Sequence, residues 1–152
     1  MILTSAESLK KIWVSIYRRK GGDGTYTRLF DNLNLTQKST LFAVLTLRES
    51  ELPVIGSVKD SDNWLVLTTE RLVWSIGGKR RELAANTVRD ATADLKQLQH
   101  HASKLEMRKL DVVTIDGIEY SIELESGAPL SGVWNILKNL GVRNRNAIEA
   151  VR

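Results

Sequence analysis

The chain has 152 residues, 42% of them hydrophobic and 26% charged, a globular balance that excludes intrinsic disorder and suffices for one core without disulfides or a structural metal. It contains no cysteine, which excludes disulfides, thiolate metal sites, thiol nucleophiles and redox switching. Twenty-two basic against eighteen acidic side chains give a formal charge of +4, a mild attraction for anions and not the dense positive field of a dedicated nucleic-acid binder.

Thr4 stands three residues before Glu7, the spacing of a capping box, and opens a predicted helix with Leu9, Ile12, Trp13, Ile16 and Tyr17 on one face. Its cations are Lys10, Lys11, Arg18, Arg19 and Lys20, and Gly21, Gly22 and Gly24 end it. Arg28 to Leu33 reads as a further turn or two of helix, so residues 1–39 are expected to form a helical arm ahead of the main domain.

From Thr40 the pattern turns to period two and short apolar runs, which predict strands. Leu41 to Leu47 is the first, and Pro53 confines the next, Val54 to Val58, to a strand start or an edge. Asp60 to Asn63 forms a polar turn. WLVLTTERLVWSI, from Trp64 to Ile76, is a hairpin; Thr69, Glu70 and Arg71 offer no glycine or asparagine for a two-residue primed turn and predict a longer loop. Gly77 and Gly78 are expected to project Lys79, Arg80 and Arg81 on a loop, before a strand from Glu82 to about Val88.

Leu95, Leu98, Ala102 and Leu105 recur at helical spacing and predict an inserted helix over 94–107. Asp116 and Gly117 predict a type I′ turn pairing Ile115 with Ile118 and Val113 with Tyr120. That register turns Val113, Ile115, Ile118, Tyr120, Ile122 and Leu124 inward, with Asp111 awkwardly on the same face. A last helix starts near Pro129, carries Leu130, Val133, Trp134, Leu137 and Leu140 as its apolar stripe, and ends at Gly141 as its C′ residue. Residues 142–152 form a short extension.

With LTTERLVW at 67–74, TIDGIEYSIEL at 114–124 and VWNILKNL at 133–140, residues 40–141 resemble a bacterial pleckstrin-homology-like or GRAM-like domain. The resemblance implies an α+β fold: a partly open antiparallel barrel of about seven strands capped by the C-terminal helix. Such scaffolds bind phosphoinositides, peptides or proteins, so it implies a binding module without naming the ligand. The lipid-binding members gather cations on the loop joining their first two strands. Here the loop expected at that place offers Arg48 beside Glu49 and Glu51.

No catalytic signature is present. His100 and His101 are adjacent and diverge on a helix, unlike an i, i+4 metal pair. After Asp60 and Asp62, Trp64 falls where a calcium loop needs a ligand. The glycines at 21–24 follow a helix and lack the lysine and serine of a phosphate loop. The expectation is therefore a non-catalytic binding module, without cofactor or metal, engaging a protein partner through a sheet edge or a helix-side groove. Lys79, Arg80 and Arg81 are the candidate partner or anion site. One alternative is peripheral binding to anionic membrane through the first helix, with Lys10, Lys11, Trp13, Arg18, Arg19 and Lys20. Another is a small inhibitor or immunity-type protein that blocks a toxin or enzyme, while nucleic-acid binding ranks below all of these and a homo-oligomer is left open. The N-terminus has no uninterrupted apolar stretch of the export type, and no apolar run nears the roughly 18 residues of a spanning helix. The expected setting is cytoplasmic, peripheral to a membrane at most.

Overall fold

Ser5 opens the first element of the computed structural model, which describes residues 5–93 and 107–151. Its hydroxyl accepts the Ser8 N–H at 3.1 Å and caps α1 (Ala6–Lys20). Thr4, expected as the cap, lies outside the described residues. Arg28 to Leu33 is helical only in its second half: β1 (Thr27–Leu29) passes into a single 3-10 turn at Phe30–Asn32.

The strand expected over Leu41–Leu47 is instead a helix, α2 (Leu35–Val44). A capping box decides it: Asn34 Oδ1 accepts the Gln37 N–H at 2.8 Å, and Gln37 Oε1 accepts the Asn34 N–H at 3.0 Å. Leu41 and Leu45, four apart, then bury together with Phe30 and Leu33 against Trp64, Val66 and Val73.

β2 (Pro53–Val58) begins at its proline but is not an edge, because β1 pairs with its far side. β3 (Trp64–Thr68) and β4 (Arg71–Ile76) form the first hairpin. The last pair joined in register is Leu67 with Leu72, and across the turn the Thr68 hydroxyl accepts the Glu70 and Arg71 N–H groups. Every residue of β3 is buried because the sheet is covered twice, by α2 outside and by the main core inside. That explains a continuous apolar run where a one-sided sheet would alternate.

β5 (Lys79–Ala84) begins directly after the Gly77–Gly78 turn, pairing Ile76 with Lys79. Lys79, Arg80 and Arg81 therefore sit in a strand and not on a loop. A second 3-10 turn at Ala85–Thr87 leads to β6 (Val88–Ala93), followed after residue 106 by β7 (Lys109–Thr114) and β8 (Glu119–Glu123). The inserted helix expected over 94–107, with His100 and His101, falls outside the described residues apart from Met107.

The second hairpin differs from expectation by one residue. Val113 pairs with Glu119 and Val112 with Tyr120, leaving Ile115, Asp116 and Gly117 as a three-residue loop. Gly117 takes a φ of 86° there, as a type I turn closed by a left-handed residue demands. On β7 the shift moves Asp111 off the inner face and brings in Leu110 and Val112, both 0% exposed, while Ile115 and Ile118 become exposed.

The last helix, α3 (Ala128–Val151), continues through the expected stop at Gly141. A Cβ on Gly141 would lie 2.3 Å from the Arg89 carbonyl oxygen, so this glycine permits close approach to β6 and is not a cap. The architecture is α+β, with a five-stranded sheet ordered β1-β2-β3-β4-β5 and a three-stranded sheet ordered β6-β7-β8, all antiparallel. Among the described residues the two sheets do not close into a barrel. One core, containing Trp13, Tyr17, Leu67, Leu110, Ile122 and Leu137, joins both sheets to α1 and α3.

Candidate functional site

Two of the four sheet edges are blunted by their surroundings. β6 is covered by α3, whose Trp134 Nε1 donates to the Ala91 carbonyl at 2.8 Å and whose Asn144 Nδ2 donates to that of Val88 at 2.7 Å. β1 has three residues, and the Glu125 carboxylate accepts the N–H groups of Thr25, Tyr26 and Thr27 at 2.6, 2.8 and 2.9 Å. That clamp fastens the start of the five-stranded sheet to the chain leaving β8. β5 is open but lined with charge, a common protection against unwanted pairing.

β8 is different. Thr114 N donates to the Ile118 carbonyl and Leu124 N to that of Arg108, so the bonded partners on β8 are Ile118, Tyr120, Ile122 and Leu124. Bonding alternates along an antiparallel strand, so the N–H and C=O groups of Glu119, Ser121 and Glu123 point away from β7. No strand pairs with them among the described residues.

These groups face the seam between the sheets. Beside Glu123 and Leu124 lies a cleft of about 590 Å³, walled by Tyr26, Ser57 and Trp74 and rimmed by Lys59 and Arg108. Beside Glu119 and Ser121 lies another of about 400 Å³, rimmed by Lys79 and Arg81. Trp74 and Ile76 line both. Trp74 also meets Tyr120 edge to face, ring centroids 6.0 Å apart, so the seam is bridged by aromatics at its middle.

The serine hydroxyls Ser57 and Ser75 that line the seam are held by the fold's own hydrogen bonds. Ser57 is engaged with Thr27 at 2.6 Å, and Ser75 donates to the Asp62 carbonyl at 2.8 Å. Neither hydroxyl is paired with a base. Burial and the nearby Glu125 carboxylate raise the Tyr26 phenol above its ordinary 10.0, which keeps it a neutral hydrogen-bond donor. Among the described residues no group of three or more histidines and carboxylates could hold a metal ion.

The structure divides the basic triplet predicted from sequence. Lys79 and Arg81 face the seam. Arg80 turns to the α2 side, where it lies over the Trp64 ring, donates to the Val44 carbonyl and pairs with Glu82. On α1, Trp13 is 0% exposed and donates to Asn139 Oδ1 at 3.1 Å, and Tyr17 is equally buried. The aromatic part of the membrane-facing candidate is thus core, while Lys11, Arg18, Arg19 and Lys20 stay at the surface and Lys10 pairs with Asp31 at 3.2 Å. Among the described residues no helix is long and apolar enough to cross a membrane.

A second polar cluster was missed by sequence reasoning. Arg71, 7% exposed, donates from Nε to Glu51 Oε2 at 2.7 Å, from Nη2 to Glu51 Oε1 at 3.0 Å and from Nη2 to the Thr46 carbonyl at 2.8 Å. Thr68 Oγ and the Arg48 N–H complete the Glu51 shell. Burial pushes the Glu51 carboxyl up, yet these donors outweigh it and hold it below its ordinary 4.5. Every oxygen of Glu51 is engaged, which makes the cluster a structural clamp on the loop after α2. The chain matches no known protein family, no curated protein and no solved structure.

Proposed function

We propose that the chain is a non-catalytic binding module on a pleckstrin-homology-like scaffold, and that it engages a protein partner by strand addition to β8. The order of the strands supports the scaffold: a four-strand meander from β2 to β5, a three-strand meander, then a terminal helix. The seam along β8 is where such a barrel stays open. The observation that carries the reading is the row of main-chain groups on Glu119, Ser121 and Glu123 that no strand pairs with among the described residues, opening onto a cleft with an aromatic wall. Main-chain bonding there supplies affinity, and the pockets on either side of Trp74 supply selectivity.

Ser121→Pro tests it. The substitution removes an N–H that faces the seam and leaves the β7–β8 ladder intact, an edge position where proline is tolerated. Partners retained from lysate by the wild-type chain and by Ser121→Ala, but lost by Ser121→Pro at unchanged thermal stability, bear out the reading. A partner retained equally by all three moves the interface off β8.

A further inference from the structure

The seam carries a charge imbalance. Its larger cleft sets Lys59, Arg108 and Lys109 against one carboxylate, Glu123. Its smaller cleft sets Lys79 and Arg81 against Glu119. Glu123 is 3.8 Å from Lys109. Among the described residues Lys59, Arg108, Lys79 and Arg81 have no salt-bridge partner. Between the cationic ends lies half-buried Ile76, beside Trp74, which is 3% exposed and packed on Tyr120.

Granted the binding site at β8, we infer that its occupant is an extended acidic peptide segment with an acid, apolar, acid pattern at alternate positions. Residues i, i+2 and i+4 of a strand share one face and span about 13 Å, the span of five residues, which is the length of β8. An apolar side chain at i+2 falls over Ile76, at the rim of the Trp74–Tyr120 contact. The carboxylates at i and i+4 then reach Lys79 and Arg81 at one end and Lys59 and Arg108 at the other. The Tyr26 hydroxyl, which makes no hydrogen bond among the described residues, adds a neutral donor at the Arg108 end. A basic segment meets repulsion at both ends, which makes the charge pattern a selectivity device as much as a source of affinity.

The test uses the full chain and three labelled synthetic peptides of about seven residues, the length scale of one strand, read by fluorescence anisotropy. The first carries glutamate, valine and glutamate at i, i+2 and i+4; the second replaces both glutamates by glutamine and the third by lysine. The acidic peptide is expected to bind, the glutamine peptide about tenfold or more weakly, and the lysine peptide not at all. Lys59→Glu combined with Arg108→Glu, both exposed positions, removes the acidic preference without unfolding the chain, and Ser121→Pro removes binding of every peptide. Equal binding of the acidic and glutamine peptides, still lost in Ser121→Pro, overturns the acidic inference and leaves strand addition standing. Equal binding by Ser121→Pro and wild type overturns strand addition itself. Inorganic polyphosphate displacing the acidic peptide with no sensitivity to Ser121→Pro makes the site a general anion surface and overturns the inference, as does no binding up to about millimolar peptide.

Discussion

Replacing Arg71 by leucine removes the cation from a carboxylate that water cannot reach. The Glu51 side chain is 0% exposed and loses two of its donors, Arg71 Nε and Nη2, keeping only Thr68 Oγ at 2.5 Å and the Arg48 N–H at 3.0 Å. Breaking a buried pair from one side costs about 3–5 kcal/mol, and the two surviving donors place Arg71→Leu near the lower end, about 3 kcal/mol. At about 2–4 °C per kcal/mol for a chain of this size, Tm falls by roughly 6–12 °C. The double replacement Glu51→Leu with Arg71→Leu removes the stranded charge and costs about 1–2 kcal/mol, less than Arg71→Leu alone. Urea unfolding followed by tryptophan fluorescence measures both. The pH dependence has a definite sign. In the wild type Glu51 is held below 4.5, so its stabilisation is present above that value and is lost as pH falls through the lower folded one. In Arg71→Leu the carboxyl, now buried without its cation, is raised, so acid relieves it and the gap to wild type narrows as pH drops. A loss below about 1 kcal/mol for Arg71→Leu, or a double variant less stable than Arg71→Leu, refutes the argument.

Three further outcomes follow from the packing. Gly141→Ala sets a methyl against the Arg89 carbonyl, a backbone atom that cannot swing away; urea unfolding is expected to show a loss of about 1–3 kcal/mol. Glu125→Gln weakens the clamp on Thr25, Tyr26 and Thr27 by about 1–3 kcal/mol in the same assay, with faster amide exchange confined first to β1. Lys79→Glu with Arg81→Glu weakens acidic-peptide binding at constant Tm, whereas Arg80→Glu lowers Tm and leaves binding unchanged, because only Arg80 is committed to Trp64, Val44 and Glu82.

The first hairpin is legible in the sequence because two buried faces leave an unbroken apolar run between polar turns. α2 is misread because Leu41, Phe42, Ala43 and Val44 imitate a strand, although Asn34 and Gln37 already hold the helix-start signal. Local patterning loses to a cap seven residues upstream. The second hairpin is found and misregistered: Asp116-Gly117 serves a two-residue and a three-residue loop equally, and the Thr114 hydroxyl, accepting the Ile118 N–H at 3.1 Å, selects the longer one. Asp111 on the nominal inner face was the clue that the pairing had slipped. Gly141 carries opposite meanings at a helix end and in a helix interior, and the approach of β6 that decides between them is long-range. The Arg71 clamp and the seam were unreadable for the same reason. Glu51, Thr68 and Arg71 come together only when the loop after α2 folds back, and a free strand edge is a property of what fails to pair with it.

Amide hydrogen exchange along β8, resolved residue by residue, tests the open seam most directly. In the free chain the amides of Tyr120, Ile122 and Leu124, bonded to β7, are expected to exchange slowly, and those of Glu119, Ser121 and Glu123 fast. Adding the acidic peptide slows the fast set and leaves the slow set unchanged. Uniform slow exchange of all six amides in the free chain would mean that the edge is already covered, and would contradict strand addition as the protein's mode of binding.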